Sequence, residues 1–151
     1  MIIIDTNVIS ELLRPEPDGQ VEAWLAGQDG SLMYFTAIGE AELRYGVAIL
    51  PAGKRRSGLL RSIEGILDEL LRDRVLPFDR PAATVYAEIA AMRRSAGRPI
   101  SQFDGQIAAI ARSHGASLAT RNTADFEGCG IEVLNPWLAK PLNRPPVGRS
   151  G

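Results

Sequence analysis

Three carboxylates in this 151-residue chain stand where carboxylates are costly. Asp5 follows the apolar run Ile2-Ile3-Ile4. Glu42 and Asp104 fall on the apolar faces of two predicted helices. Taking an ion out of water is unfavourable unless something compensates it. If the three converge, each pair at ~4 Å repels by roughly 4 kcal/mol at an effective dielectric near 20. Protonation relieves that repulsion, and so does a divalent cation. An all-oxygen donor set without His or Cys favours Mg²⁺, with Mn²⁺ as a substitute, over zinc. Such an ion activates water for attack on phosphorus and steadies the leaving oxygen. The chemistry implied is phosphodiester hydrolysis without a covalent intermediate.

Each carboxylate also has a plainer role open to it. Asp5 stands at a strand-to-helix junction and fits a helix N-cap. Glu42 has Ile38, Tyr45 and Ile49 at offsets of minus four, plus three and plus seven, so it is expected to face the core, alternatively in a buried ion pair. Glu40, by contrast, has Arg44 four residues on, an ordinary exposed pair. Asp104 shares its face with Ile107, Ala108 and Ala111. The stretch Ser101-Gln102-Phe103-Asp104 also has the form of a capping box. In Thr120-Arg121-Asn122-Thr123-Ala124-Asp125-Phe126, Asn122 fits a cap with Asp125 as its helix-start partner, or both belong to a site. His114, the one histidine, falls at a helix C-terminus, where a solvated ring or a cation is favourable. No serine or cysteine nucleophile signature, P-loop or GxGxxG run is present.

Composition sets the frame for these residues. The chain is 45% hydrophobic and 23% charged, as expected of one soluble domain with a core of its own. A net charge of -1 argues against a uniformly basic nucleic-acid binder. Only Lys54 and Lys140 among the 17 basic residues are lysines. The arginine bias suits phosphate recognition, and a GC-rich coding sequence explains it equally well. The single cysteine, Cys129, excludes an internal disulfide and fits a reducing cytoplasm. Met1-Ile2-Ile3-Ile4-Asp5 lacks the basic start of a signal peptide, and no apolar run approaches a membrane span.

The elements that must position the carboxylates alternate strand with helix. Strands are expected at 1–4, 32–35, 74–78, 116–119 and 131–134. Helices are expected at 6–13, 18–26, 36–50, 81–95 and 102–114. Lys54 to Gly58 reads as a basic turn. A helix to about Arg72 follows, with Leu60, Ile63, Ile66, Leu67, Leu70 and Leu71 as its apolar stripe. That stripe faces the core, with a dimer surface as the alternative. This alternation predicts a three-layer α/β/α sandwich around a mostly parallel sheet of about five strands. Sites in such sheets form at the carboxyl ends of strands, where Asp5, Thr36 and Thr120 fall. Residues 1–138 are expected to form the domain and 139–151, rich in proline, a flexible tail.

The run Met1-Ile2-Ile3-Ile4-Asp5-Thr6-Asn7-Val8-Ile9-Ser10-Glu11-Leu12 resembles the opening of a PIN-domain protein. Thr36 with Glu42-Leu43-Arg44-Tyr45-Gly46 resembles that family's second motif. Asp104-Gly105-Gln106-Ile107-Ala108-Ala109 resembles its third, and Thr120-Arg121-Asn122 with Asp125-Phe126 its fourth. The nearest likeness is to the VapC/FitB branch of toxins. The resemblance implies a Mg²⁺-dependent endoribonuclease, cytoplasmic and homodimeric, that cuts RNA and is held inactive by a cognate small DNA-binding antitoxin. It implies that Asp5, Glu42 and Asp104 are the catalytic metal site and that Thr6 supports Asp5 by hydrogen bonding. Thr120, Asn122 and Asp125 are further candidates, and Arg121 is a candidate phosphate contact. Asn122 stands where many relatives carry aspartate, which puts a second metal in question. The alternative is a catalytically weak PIN-like module that binds RNA or protein. A phosphatase with Asp5 as nucleophile is a third reading, and Asn7, where such enzymes want a second acid, speaks against it.

Overall fold

Five short strands, β1 Ile2–Ile4, β2 Met33–Thr36, β3 Val75–Leu76, β4 Ser117–Ala119 and β5 Val133–Leu134, form one parallel sheet in the order β3-β2-β1-β4-β5. This is a computed structural model, and it describes residues 1–139. The tail expected at 139–151 lies, Ala139 apart, outside the described residues. The chain runs outward from β1 through β2 to β3. It then crosses back to β4, on the other side of β1, and on to β5. The direction of winding therefore reverses between β1 and β4, where open α/β sheets form their crevices.

Side chains of successive strand residues point to opposite faces, and both faces are covered. Ile3 and Leu118 pack with Ile89, Ile107 and Ile110 of helices α5 (Arg80–Ser95) and α6 (Gln102–Ser113). Ile4 and Ala119 pack on the other side, with Val8 of α1 (Thr6–Leu12), Val21 of α2 (Gly19–Ala26), Leu43 of α3 (Ala37–Ala48) and Ile63 of α4 (Lys54–Gly65). The result is the expected α/β/α sandwich, and its sheet is wholly parallel.

The helix starts follow from capping chemistry. Asp18, Thr36, Asp79 and Ser101 each accept a backbone N–H of the turn they open. Two expectations are corrected here. Lys54 to Gly58 is not a turn but the start of α4; its three basic residues are exposed there and cost no burial. The stripe of that helix is also split. Ile63, Leu67 and Leu71 are buried, while Leu60 and Leu70 are exposed. For Leu70 the reason is a π-helical turn over Ile66–Leu70, closed by the Leu71 amide on the Ile66 carbonyl, which widens the spacing and rotates Leu70 off the core.

Candidate active site

Asp5 ends β1 and opens α1, and it is 6% exposed. Its Oδ1 accepts the Thr6 amide at 2.8 Å, a cap bond. Its Oδ2 accepts the Thr120 hydroxyl at 2.7 Å and Asn7 Nδ2 at 3.3 Å. Asn7 Nδ2 also donates to Thr120 Oγ1 at 3.1 Å. Asp5 is thus a helix cap and the centre of a network across the β1–β4 switch point. Burial pushes its carboxyl above the ordinary range. The Thr120 hydroxyl and Thr6 amide oppose that shift, and Asp104 and Asp125 add to it.

Glu42 reaches the same place from α3. The core face of α3 is Gly39, Leu43 and Val47, while Tyr45 and Ile49 are exposed. The expected core-facing stripe is therefore corrected. Glu42 sits half-buried at the border of that face, beside α1. The two helices approach closely because position 39 is glycine. A Cβ there would meet the Phe35 ring at 2.7 Å and Thr6 Oγ1 at 3.2 Å. That approach lets the Thr6 hydroxyl donate to Glu42 Oε1 at 3.4 Å. Thr6 therefore hydrogen-bonds Asp5, as expected, through its amide, and reaches Glu42 through its side chain. Burial, then Asp5 and Asp104, raise the Glu42 carboxyl above its ordinary value.

Asp104 lies in the first turn of α6. Ser101 Oγ accepts its amide at 3.2 Å, which is one half of the capping box. Its carboxylate lines the cleft that Asp5 and Glu42 line. Gly105, next to it, lets α6 lie against α5, since a Cβ would meet the Tyr86 ring at 2.8 Å. Burial raises the Asp104 carboxyl. The Ser101 hydroxyl opposes that shift, Asp125 adds to it, and Arg93 opposes it.

The three carboxylates share one cleft of about 480 Å³, with Thr6, Asn122 and Arg121 also in its wall. Among the described residues, none of the three pairs with an arginine or lysine. Nor, among the described residues, do three His, Cys, Asp or Glu side chains form a ready-made metal-binding cluster. The three carboxylates therefore converge on one cleft without closing into such a cluster. The donor chemistry still fits a hard cation: carboxylate and hydroxyl oxygens, raised proton affinities and no paired cation.

Around the three, Asn122 precedes a 3-10 turn over Thr123–Phe126 without capping it by its side chain; its amide instead donates to Thr120 Oγ1 at 3.1 Å. Asp125 is exposed and acts on Asp5 and Asp104 through its charge. His114 is the C-cap of α6. Several cleft residues escaped the sequence reading. Asn7 ties Asp5 to Thr120 and takes the Arg121 amide at 3.3 Å. Glu11, 6% exposed, pairs with Arg14 at 3.1 Å and caps the Asp18 amide. Trp137 closes one side. Only the short interval between Asp5, Asn7 and Glu11 hinted at the first two; Trp137 carried no signal.

A model of the PIN domain matches residues 2–128. The chain belongs to the PIN-domain family. Within the family it is 47% identical over 137 residues to the VapC ribonuclease Y4jK of Sinorhizobium fredii, covering 91% of this chain and 98% of that protein. It is 44% identical to Toxin FitB of Neisseria gonorrhoeae, covering 91% and 99%. The solved structure of FitAB bound to an IR36 DNA fragment superposes on this PIN domain with a TM-score of 0.87 at 43% identity, over 93% of this chain and 98% of that one.

Proposed function

We propose that this chain is a metal-dependent endoribonuclease and the toxin of a toxin–antitoxin pair. The observation that carries the reading is that Asp5, Glu42 and Asp104, brought from three elements to one cleft, have no cation paired to them among the described residues. The names of the relatives, a ribonuclease and a toxin, support it.

Asp5, Glu42 and Asp104 would hold Mg²⁺, or Mn²⁺ in its place. When bound there, such an ion supplies positive charge against a phosphodiester and lowers the pKa of water. Thr120, Asn7 and the Thr6 amide fix the Asp5 carboxylate, so that little reorganisation remains when substrate arrives. Arg121, an exposed residue of the cleft lining, would meet a phosphate.

We further read the partner as a small DNA-binding antitoxin. An apolar cavity of about 630 Å³ adjoins the acidic cleft and shares Thr6, Ser10, Arg14 and Glu42 with it. Leu13, Leu43, Val47 and Leu59 line it. A segment that seats apolar side chains there and an arginine among the carboxylates would block the site. Exposed Tyr45 of α3 and Ile49 at its C-cap are the surface we assign to a homodimer, which sedimentation of a Tyr45→Glu variant tests. Among the described residues no helix is long and apolar enough to cross a membrane. We place the activity in the cytoplasm.

The deciding experiment is cleavage of RNA by Asp104→Asn. Loss of Mg²⁺-dependent cutting with the fold intact is expected, and equal cutting by both highly purified proteins overturns the reading. A catalytically weak PIN-like module is favoured by one observation: among the described residues, the three carboxylates line one cleft without forming a ready-made metal-binding cluster. Calorimetric titration with Mn²⁺ separates the two, since an inert module gives no carboxylate-dependent heat.

A further inference from the structure

Arg121 stands beside an acidic cluster and does not join it. Its amide donates to Asn7 Oδ1 at 3.3 Å, and Asn7 in turn donates to Asp5. The arginine is therefore rooted next to the carboxylates on a side chain long and flexible enough to fold onto them. Among the described residues it pairs with none. Its guanidinium carbon instead lies 5.2 Å from the centroid of the Trp137 ring. That ring is itself fixed. The Trp137 amide donates to Asn135 Oδ1 at 3.0 Å, Pro136 before it is buried, and the indole packs on the core face that contains Ile4 and Val8. The other cleft arginine, Arg14, is already neutralised by Glu11.

The difference matters because a guanidinium seated among the carboxylates would take the place of a metal ion. Held on an aromatic face, it keeps its charge and its free donors. We propose that Trp137 is a positioning residue: its indole holds the Arg121 guanidinium off Asp5, Glu42 and Asp104, ready for a phosphate of single-stranded RNA. This rests on the ribonuclease reading above. The expectation is a metal-binding effect as well as a substrate effect, which a residue that only stabilises the fold would not give.

The test is calorimetric titration with Mn²⁺ alone, on wild type, Trp137→Leu, Trp137→Phe, Arg121→Ala and the Trp137→Leu/Arg121→Ala double variant. Thermal melts confirm that each is folded. Trp137→Leu keeps apolar bulk but frees the arginine, and should weaken Mn²⁺ binding by roughly three- to tenfold. Trp137→Phe should stay near wild type. Arg121→Ala and the double variant should bind Mn²⁺ at least as tightly as wild type, because the competing cation is gone. On a short single-stranded oligoribonucleotide, Arg121→Ala should raise KM about tenfold with kcat little changed. Unchanged Mn²⁺ affinity in Trp137→Leu overturns the proposal, and so does a double variant as weak as Trp137→Leu. In those two cases the ribonuclease reading stands. If wild type itself gives no carboxylate-dependent heat, that reading fails and takes the proposal with it.

Discussion

Two places in this molecule bury charge without a counter-ion among the described residues, and they resolve it in opposite ways. Arg93, near the end of α5, is 7% exposed. Its Nε donates to the Arg98 carbonyl at 2.7 Å, and its Nη1 to the carbonyls of Asp125 and Glu127 at 2.9 and 3.0 Å. Cys129 Sγ lies 3.6 Å from the same nitrogen. The cation is thus held by three backbone carbonyl dipoles, and it staples α5 to the loop before α6 and to the turn after β4. The acidic cleft leaves its charges unsaturated. Asp5 is held by three donors, but Glu42 has one long bond and Asp104 opens to the cleft. A saturated buried charge stabilises a fold. An unsaturated cluster costs stability and is poised to bind something of opposite sign.

The largest expected effect comes from breaking the saturated side. Arg93→Met leaves three carbonyls without their donor and should cost about 3 kcal/mol or more of stability. Arg93→Lys keeps the charge but not the planar fork, and should cost about half of that. Denaturant unfolding measures both. A loss under about 0.5 kcal/mol in Arg93→Met would mean that the staple carries little, and the contrast with the cleft would fail.

The cleft should respond with the opposite sign. The Asp5, Glu42 and Asp104 carboxyls all lie above their ordinary values in the folded protein, with burial the first cause. A raised carboxyl gives stability that is fully present below its unfolded pKa and is lost as pH rises through its folded value. Without metal, then, ionising these groups opposes folding from the upper carboxylate range to neutrality. Asp104→Asn should be more stable than wild type at pH 7 by up to about 0.5 kcal/mol, a small figure because the group is half-exposed and screened. The gap should close near pH 4. Mg²⁺ should raise the melting temperature of wild type and not that of the variant. Thermal melts at the two pH values decide the matter, and a variant less stable than wild type at pH 7 would sink the claim.

The two regions also differed in how well the sequence announced them. Strand–helix alternation, the caps at Asp18, Thr36 and Ser101, and the apolar runs were legible, because each is set by chemistry within a few residues. Asp5 and Asp104 were legible for the same reason, each standing beside its own turn. Glu42 was picked out by a stripe that proved to be exposed at Tyr45 and Ile49. The helix is rotated by the contact that Gly39 permits with Phe35, and only tertiary packing fixes that rotation. Arg93 and Trp137 gave no local sign. Their partners lie at positions 98–129 and 121, and nothing in a run of neighbours tells a buried arginine or a ring under a guanidinium from a surface one.

The smallest effect sharpens the comparison where the cleft is least held. The Thr6 hydroxyl meets Glu42 Oε1 at 3.4 Å, long for a hydrogen bond between oxygens. The Thr6 amide, which caps on Asp5, does not depend on the side chain. Thr6→Val keeps shape and amide and removes only the hydroxyl. Stability should change by less than about 0.5 kcal/mol, and RNA cleavage should fall by less than about tenfold, with Thr6→Ser restoring it. Rates on a single oligoribonucleotide at saturating Mg²⁺ make the measurement. A loss of a hundredfold or more, rescued by serine, would show that the hydroxyl is as firmly built into the site as Thr120 is, and that Glu42 is held far more tightly than its one long bond implies.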